Sequence, residues 1–321
     1  MSWFLALASL GFFLLFIHPF VIYPATLRLV RARPWADRKA EAHEPQPRPT
    51  FAVCLCAYNE EAVIERKIEN MLALRARGDV ELFVYVDAAT DRTAALLENV
   101  RDRIAVYVSP ERHGKTYGMN FLVEQAKASI VVFTDANVII DPNAFDALER
   151  RFRDPRVGCV CGHLIYLNAN GTPTSEMGSV YWRLEETIKE QESRLGAAMG
   201  ADGSLFAIRR RLHRPVPINL IDDMYLSLSI LCDGYRVVRA DDAKAFEESV
   251  TLPREEFNRK VRIACQAFNV HRALWPRLRR LPPAFVYMYV SHKLLRWTSI
   301  YNLAVSVALG GSTPELRASY R

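Results

Sequence analysis

The chain lacks the glycine signatures of the common nucleotide-binding folds. No Gly-x-Gly-x-x-Gly opens a helix after the first strand-like run, which argues against a dinucleotide site. No complete Gly-x-x-x-x-Gly-Lys-Ser/Thr loop is there to cradle a triphosphate. The Gly-rich loop that a nucleotidyltransferase would want after its first strand is missing too. Excess charge is small, 42 Lys+Arg against 36 Asp+Glu, and no basic stripe is interleaved with aromatics. That argues against a nucleic-acid partner. Zinc spacing is also absent. Cys54/Cys56 and Cys159/Cys161 are Cys-x-Cys pairs inside apolar, strand-like runs, where residues two apart share one face. Structural zinc wants a wider spacing on a turn, so buried reduced thiols are expected. No Lys or Arg precedes the first apolar run and no small-residue cleavage site follows it, so a signal peptide is not expected.

What is present starts with that apolar run. Residues 3–26 carry no charged side chain, more than the ~20 residues needed to cross a bilayer as a helix. His18 and Pro19 interrupt it, and Arg28, Arg31, Arg33, Arg38 and Lys39 follow. By the positive-inside rule that flank is cytoplasmic, so residues 1–27 read as a membrane anchor and 28–49, with Pro45, Pro47 and Pro49, as a basic linker. The expected location is the inner (cytoplasmic) membrane, with the catalytic part in the cytosol. Residues 251–283 read as amphipathic interface helices and 284–321 as a membrane-associated segment. Tyr287, Tyr289 and Trp297 suit a lipid–water interface. Residues 297–310 are uncharged but short for a complete span, which points to a re-entrant segment, with a second span as the alternative.

Between these ends, strand-like and helix-like runs alternate. Strands are expected at 51–59, 80–87, 104–109 and 129–137, and helices at 60–74, 93–100 and 116–128. Such alternation predicts an α/β domain over residues 50–250, a mostly parallel sheet with helices on both faces. Ligands of open α/β sheets sit beyond the carboxyl ends of the strands, where Asn59, Asp87 and Asp135 fall. Packing alone does not account for three polar strand ends, because a buried carboxylate needs a partner.

In order along the chain, these motifs resemble those of the family 2 glycosyltransferases, whose fold is the Rossmann-like GT-A type. The resemblance spans roughly residues 50–300. AYNE, Ala57, Tyr58, Asn59 and Glu60, is similar to the first nucleotide-contacting loop. DAATDRT (87–93) resembles the second, with Asp87 as acceptor for a uracil N–H and Ala88-Ala89 where Gly-Ser is usual. HGK (113–115) matches a loop whose lysine, Lys115, approaches the nucleotide. TDAN (134–137) stands where the family carries Asp-x-Asp, so Asp135 and Asn137 are the implied ligands of Mg²⁺ or Mn²⁺. A divalent cation with hard oxygen ligands stabilises a departing diphosphate. Asp202 falls in the implied acceptor loop. Asp222 and Asp223 fall on the implied catalytic acid pair, with Asp223 as general base for the acceptor hydroxyl. Arg262 matches the arginine of a Gln-x-x-Arg-Trp motif whose Trp position is Ile263, a departure that leans against a processive polymer synthase.

The resemblance therefore implies an inverting, metal-dependent hexosyltransferase. It would use a nucleotide-sugar donor, UDP-linked by prevalence, and a lipid-linked or polysaccharide acceptor at the membrane. The alternatives are a processive synthase and a non-catalytic subunit of a polysaccharide assembly complex.

Overall fold

A computed structural model describes residues 2–29, 48–76, 78–167, 173–248 and 253–311. Most of the expected basic linker and the last ten residues lie outside that set.

The expected strands form. β1 (Phe51–Ala57), β2 (Val80–Asp87), β3 (Ala105–Ser109) and β4 (Ile130–Thr134) pair in parallel in the order β3-β2-β1-β4. Both faces of these strands are covered, which is why their sequences are nearly continuous apolar runs. Along β1, Val53, Leu55 and Ala57 enter one core, while Ala52 and Cys54 enter the other. α3 (Ile64–Arg75) follows β1 and buries Ile64, Ile68, Met71 and Leu74 at helical spacing against the sheet. α4 (Thr93–Glu98) and α5 (Lys115–Gln125) cross over between the next strands.

The remaining half is mixed. β5 (Val138–Ile140), α6 (Ala144–Phe152), β6 (Val157–Leu167) and α7 (Pro173–Arg194) precede β7 (Leu205–Arg209), α8 (Asp222–Cys232) and β8 (Arg236–Glu248). The whole sheet runs β3-β2-β1-β4-β7-β6-β8-β5. β7 is antiparallel to β4 and β6, β5 is antiparallel to β8, and β6 is parallel to β8. Parallel pairing thus holds throughout β1 to β4, whereas β7 and β5 enter antiparallel to their neighbours.

The terminal helices pack together. α1 (Ser2–Ile17) continues through a π-helical turn (His18–Ile22) into α2 (Tyr23–Leu27). Of this rod, Trp3–Leu27 is long and apolar enough to cross a membrane. α9 (Pro253–Leu278) leads to α10 (Pro283–Tyr289), a second π-helical turn (Val290–Leu294) and α11 (Leu295–Gly310). From Pro283 to Gly310 the chain forms one helical rod lying antiparallel to the first. Ser9 and Ser306 exchange hydroxyl-to-carbonyl hydrogen bonds of 2.8 Å across the pair. The reason lies in partners distant in sequence. His292 and Arg296, which break the apolar pattern, are met by Glu185 and Glu192 on α7, so the helix continues through them.

Candidate active site

The site is built from loops at the carboxyl ends of β1, β2 and β4. After β1, Tyr58 and Asn59 turn the chain, and Asn59 adopts a φ of +53°. Its side-chain oxygen accepts the Thr90 N–H at 2.8 Å, and the Glu60 N–H donates to Thr93 Oγ1 at 2.8 Å. The loops after β1 and β2 are therefore stitched together. Burial, with Asp135 and Asp91 nearby, raises the pKa of Glu60.

Asp87 ends β2 with a side chain only 2% exposed. Its two oxygens accept the N–H groups of His113 at 2.8 Å and Gly114 at 2.9 Å. Asp87 thereby folds the 110–114 loop, because two backbone donors satisfy a buried carboxylate. Gly114, at φ +90°, then starts α5 so that Lys115 is its first residue. Arg112 stacks over the Tyr58 ring at 3.3 Å from its centroid, beside this loop.

Lys115 Nζ lies 2.6 Å from Asp135 Oδ1. Burial opposes the ammonium, but Asp135, Asp222 and Asp223 together hold its pKa above the usual lysine value. Asp222 and Asp223 are the first two residues of α8. The Asp223 carboxylate accepts the Met224 N–H, and its other oxygen points to Gly203. A Cβ at Gly203 would stand 3.0 Å from Asp223 Oδ2 and 3.8 Å from Lys115 Nζ, so glycine keeps the gap between them open. Burial, then Asp222, pushes the Asp223 pKa up to about 7, with Lys115 opposing. Asp222 is 6% exposed, and its Oδ2 is buried without a hydrogen-bond partner among the described residues. Asp202 accepts the Ser204 hydroxyl at 3.0 Å and faces Lys189 at 3.7 Å.

Of the residues singled out from sequence, Lys115, Asp135, Asp202, Asp222 and Asp223 come together here. Ala57, Tyr58, Asn59 and Glu60 form the adjoining loop. Asn137 follows the β4 end and donates to Glu247 on β8 at 2.9 Å. Arg262 is exposed on α9 and shares no hydrogen bond or ion pair with this cluster among the described residues.

Sequence reasoning missed the support beneath Asp135. Lys67 is fully buried, and its ammonium donates to Thr134 Oγ1 at 2.9 Å and to the Val138 carbonyl at 2.6 Å. Asn70 bonds both the N–H and the carbonyl of Ile140. α3 thus clamps the turn carrying Asp135 from both sides. The signal was legible: Lys67 falls on the same helical stripe as Ile64, Ile68 and Met71.

No group of three or more His, Cys, Asp or Glu side chains is poised as a metal cage among the described residues. One strand-end carboxylate with an adjacent amide fits a hard divalent cation only as a shared site, completed by substrate phosphates. The orphaned Asp222 Oδ2 marks a place where a ligand group would be satisfied. On the opposite edge lies a groove in which Arg48 and Arg153 pair with Glu149 and Arg209 donates to the main-chain carbonyls of Phe152 and Val157.

Comparison with known proteins agrees with this architecture. The glycosyl transferase family 2 profile matches residues 52–216, just over half of the chain. An N-acetylglucosaminyltransferase of Rhizobium meliloti (strain 1021) is 24% identical over 306 residues, 89% of this chain and 71% of that protein. A poly-beta-1,6-N-acetyl-D-glucosamine synthase of Staphylococcus aureus (strain COL) is 26% identical over 190 residues, 57% of this chain and 46% of the synthase. The chain thus matches less than half the length of the staphylococcal synthases. Among solved structures, a mannosyltransferase from Pyrobaculum calidifontis, in complex with GDP-Man and Mn2+, superposes with a TM-score of 0.73 at 21% identity. That likeness covers 95% of this chain and 85% of the other and reports on the fold. With the strand order, the acid cluster at the carboxyl edge and the family match agreeing, the chain belongs to glycosyl transferase family 2 and has the GT-A fold.

Proposed function

We propose that the chain transfers a sugar from a UDP-linked donor to a membrane-held glycan or lipid acceptor, with inversion at the anomeric carbon. N-acetylglucosamine is the first sugar to test, since both curated relatives are named for it. The observation that carries the reading is the single Lys115 ammonium set between Asp135 and Asp223 at the carboxyl edge of the sheet.

Asp223 takes the proton of the acceptor hydroxyl as that oxygen attacks the anomeric carbon. The bond from that carbon to the diphosphate oxygen breaks, and the nucleoside diphosphate leaves with the electron pair. A carboxylate with a pKa near 7 suits a base working at neutral pH. Lys115 neutralises charge on the leaving diphosphate, and Asp222 orients the acceptor. Mg²⁺ or Mn²⁺, held by Asp135 with Asn137, would supply the remaining charge stabilisation. Membrane anchoring is supported by the apolar side chains that the helix pair leaves exposed, among them Trp3, Phe4, Leu7, Ile300, Tyr301 and Val307.

The test is release of nucleoside diphosphate by the purified full chain from UDP-N-acetylglucosamine, other UDP-sugars and GDP-mannose, each with Mn²⁺ and with EDTA. Metal-dependent release from one donor is expected. No release from any donor overturns the reading, and long products on a sizing column would shift it to polymer synthesis.

A further inference from the structure

A buried polar cluster joins the two terminal rods to α7, and the chemistry above does not use it. The two π-helical turns, His18–Ile22 and Val290–Leu294, lie beside each other there. Such turns recur at functional sites. Here each brings a side chain to one carboxylate. Tyr23 directly follows the first turn and donates its hydroxyl to Glu192 Oε1 at 2.5 Å. His292 lies in the second, and its Nδ1 is 2.7 Å from the same oxygen. Tyr23 and Glu192 are fully buried, and His292 is nearly so.

The second oxygen of Glu192 serves the site. Oε2 accepts, at 2.9 Å, the N–H of Met199, the residue before the loop from Gly200 to Gly203. That loop is tied again at Ala201, whose N–H donates to Ser227 Oγ at 3.0 Å. The Ser227 hydroxyl donates in turn to the Asp223 carbonyl at 2.6 Å. Side chains therefore hold the loop at two points. One tie comes from α8, which carries the proposed base. The other is Glu192, whose remaining oxygen is held by the rods. A buried carboxylate keeps its place only while donors satisfy both of its oxygens, so the Met199 contact depends on Tyr23 and His292.

We propose that Glu192 is a positioning residue for the acceptor, fixing the loop at Met199 while Tyr23 and His292 fix Glu192. This rests on the glycosyl-transfer reading, in which Asp202 and its loop face the acceptor. The two rods are then part of the acceptor seat. Lys293 of the second rod also packs there, its Nζ 3.6 Å from where a Cβ on Gly200 would be. The donor side, built from the loops after β1, β2 and β4, is held by Asp87, Lys67 and Asn70. Loss of Glu192 should therefore touch the acceptor and spare the donor.

The experiment uses the full chain in phosphatidylcholine nanodiscs, with Tyr23→Phe, Glu192→Gln and Glu192→Ala. Hydrogen exchange over 197–203, read by mass spectrometry, should be about tenfold faster in Glu192→Ala, in line with losing one charge-assisted hydrogen bond. Exchange over β1 and β4 should not change. Tyr23→Phe should give a smaller rise over the same loop. Glu192→Gln should stay near the wild type, because its amide oxygen still accepts the Met199 N–H. Nucleotide release is then followed with the donor that supports it, with an N-acetylglucosamine disaccharide, a polyprenyl phosphate and a polyprenol offered as acceptors. For the acceptor that is used, Glu192→Ala should raise KM by about tenfold, and Glu192→Gln should restore it. Donor KM and the slow hydrolysis without acceptor should match the wild type. Tyr23→Phe should add nothing in the Glu192→Ala background, since it acts through Glu192. Unchanged exchange over 197–203 in both Tyr23→Phe and Glu192→Ala overturns the proposal. So does faster exchange with an unchanged acceptor KM, or use of none of the acceptors by a protein that hydrolyses donor. Absence of donor hydrolysis in the wild type would instead sink the underlying transferase reading, whatever the exchange shows.

Discussion

The Lys115 ammonium is 2.6 Å from Asp135 Oδ1, so a side-chain cation already neutralises the carboxylate that the proposed metal would use. Ammonium and divalent ion would then compete for one oxygen until a diphosphate offered the lysine another anion.

Lys115→Met should therefore bind Mn²⁺ more tightly than the wild type when no nucleotide is present. Transfer should nonetheless fall by about 10²-fold, because one charge on the leaving group is lost. Electron paramagnetic resonance of free Mn²⁺ reads the first effect and nucleotide release the second. Weaker Mn²⁺ binding in the variant would refute the competition.

Asp223→Asn should remove transfer, with residual activity lower by about 10³-fold or more. In the wild type, kcat/KM should climb with pH through about 7, as the base loses its proton. The sign for stability is opposite. The folded pKa lies above the ordinary 3.8, so the folded state keeps a proton that the unfolded chain gives up, and stability falls as pH rises from 3.8 to about 7. The asparagine variant should be more stable than the wild type above neutrality, by on the order of 1 kcal/mol, and no more stable in acid. Urea melts at both pH values check this. Equal midpoints throughout would show that the folded state does not raise the Asp223 pKa.

Lys67 titrates in the other direction. Burial lowers its pKa to about 7, from 10.5. Between those values the unfolded chain binds more protons than the folded one, so stability should rise with pH by up to about 1.4 kcal/mol per unit. Lys67→Met should flatten that rise. It should also weaken Mn²⁺ binding with donor present, because Thr134 and Val138 lose the donor that holds the Asp135 turn. A variant with the same pH slope as the wild type would contradict the assignment.

Ala88 holds φ +53° directly after Asp87. A left-handed residue with a Cβ costs about 1–2 kcal/mol, and glycine relieves this at an entropic cost of about 0.5–1 kcal/mol. Ala88→Gly should raise stability by a few tenths to about 1 kcal/mol without changing transfer, whereas Ala88→Val should lower it by more than about 1 kcal/mol. Denaturant midpoints decide. A destabilised glycine variant would mean that the strain is not there.

Much of this was legible in the residues alone. The four parallel strands and their helices follow from runs of two kinds, continuous apolar segments and 3.6-residue stripes, and both are local properties of the chain. The acids at the ends of β2 and β4 stood out because a strand ending in a carboxylate has no packing reason to do so, and those at the start of α8 through the family resemblance. The mixed half of the sheet was less visible, since β5 has three residues and β7 enters from a loop. The continuity of the C-terminal rod was less visible too, since the charges within it find their partners on α7.

Local patterns thus set the order of elements, the apolar N-terminal helix and the acids that could do chemistry. What each charge does was settled by the fold. Asp87 turned inward to two backbone N–H groups, Lys115 reached Asp135, and Glu185 and Glu192 enclosed His292. The physical reason is range. Hydrophobic periodicity is written in neighbours a few positions apart, whereas the partner of a buried charge comes from wherever the chain returns, here from 20 to 107 residues away.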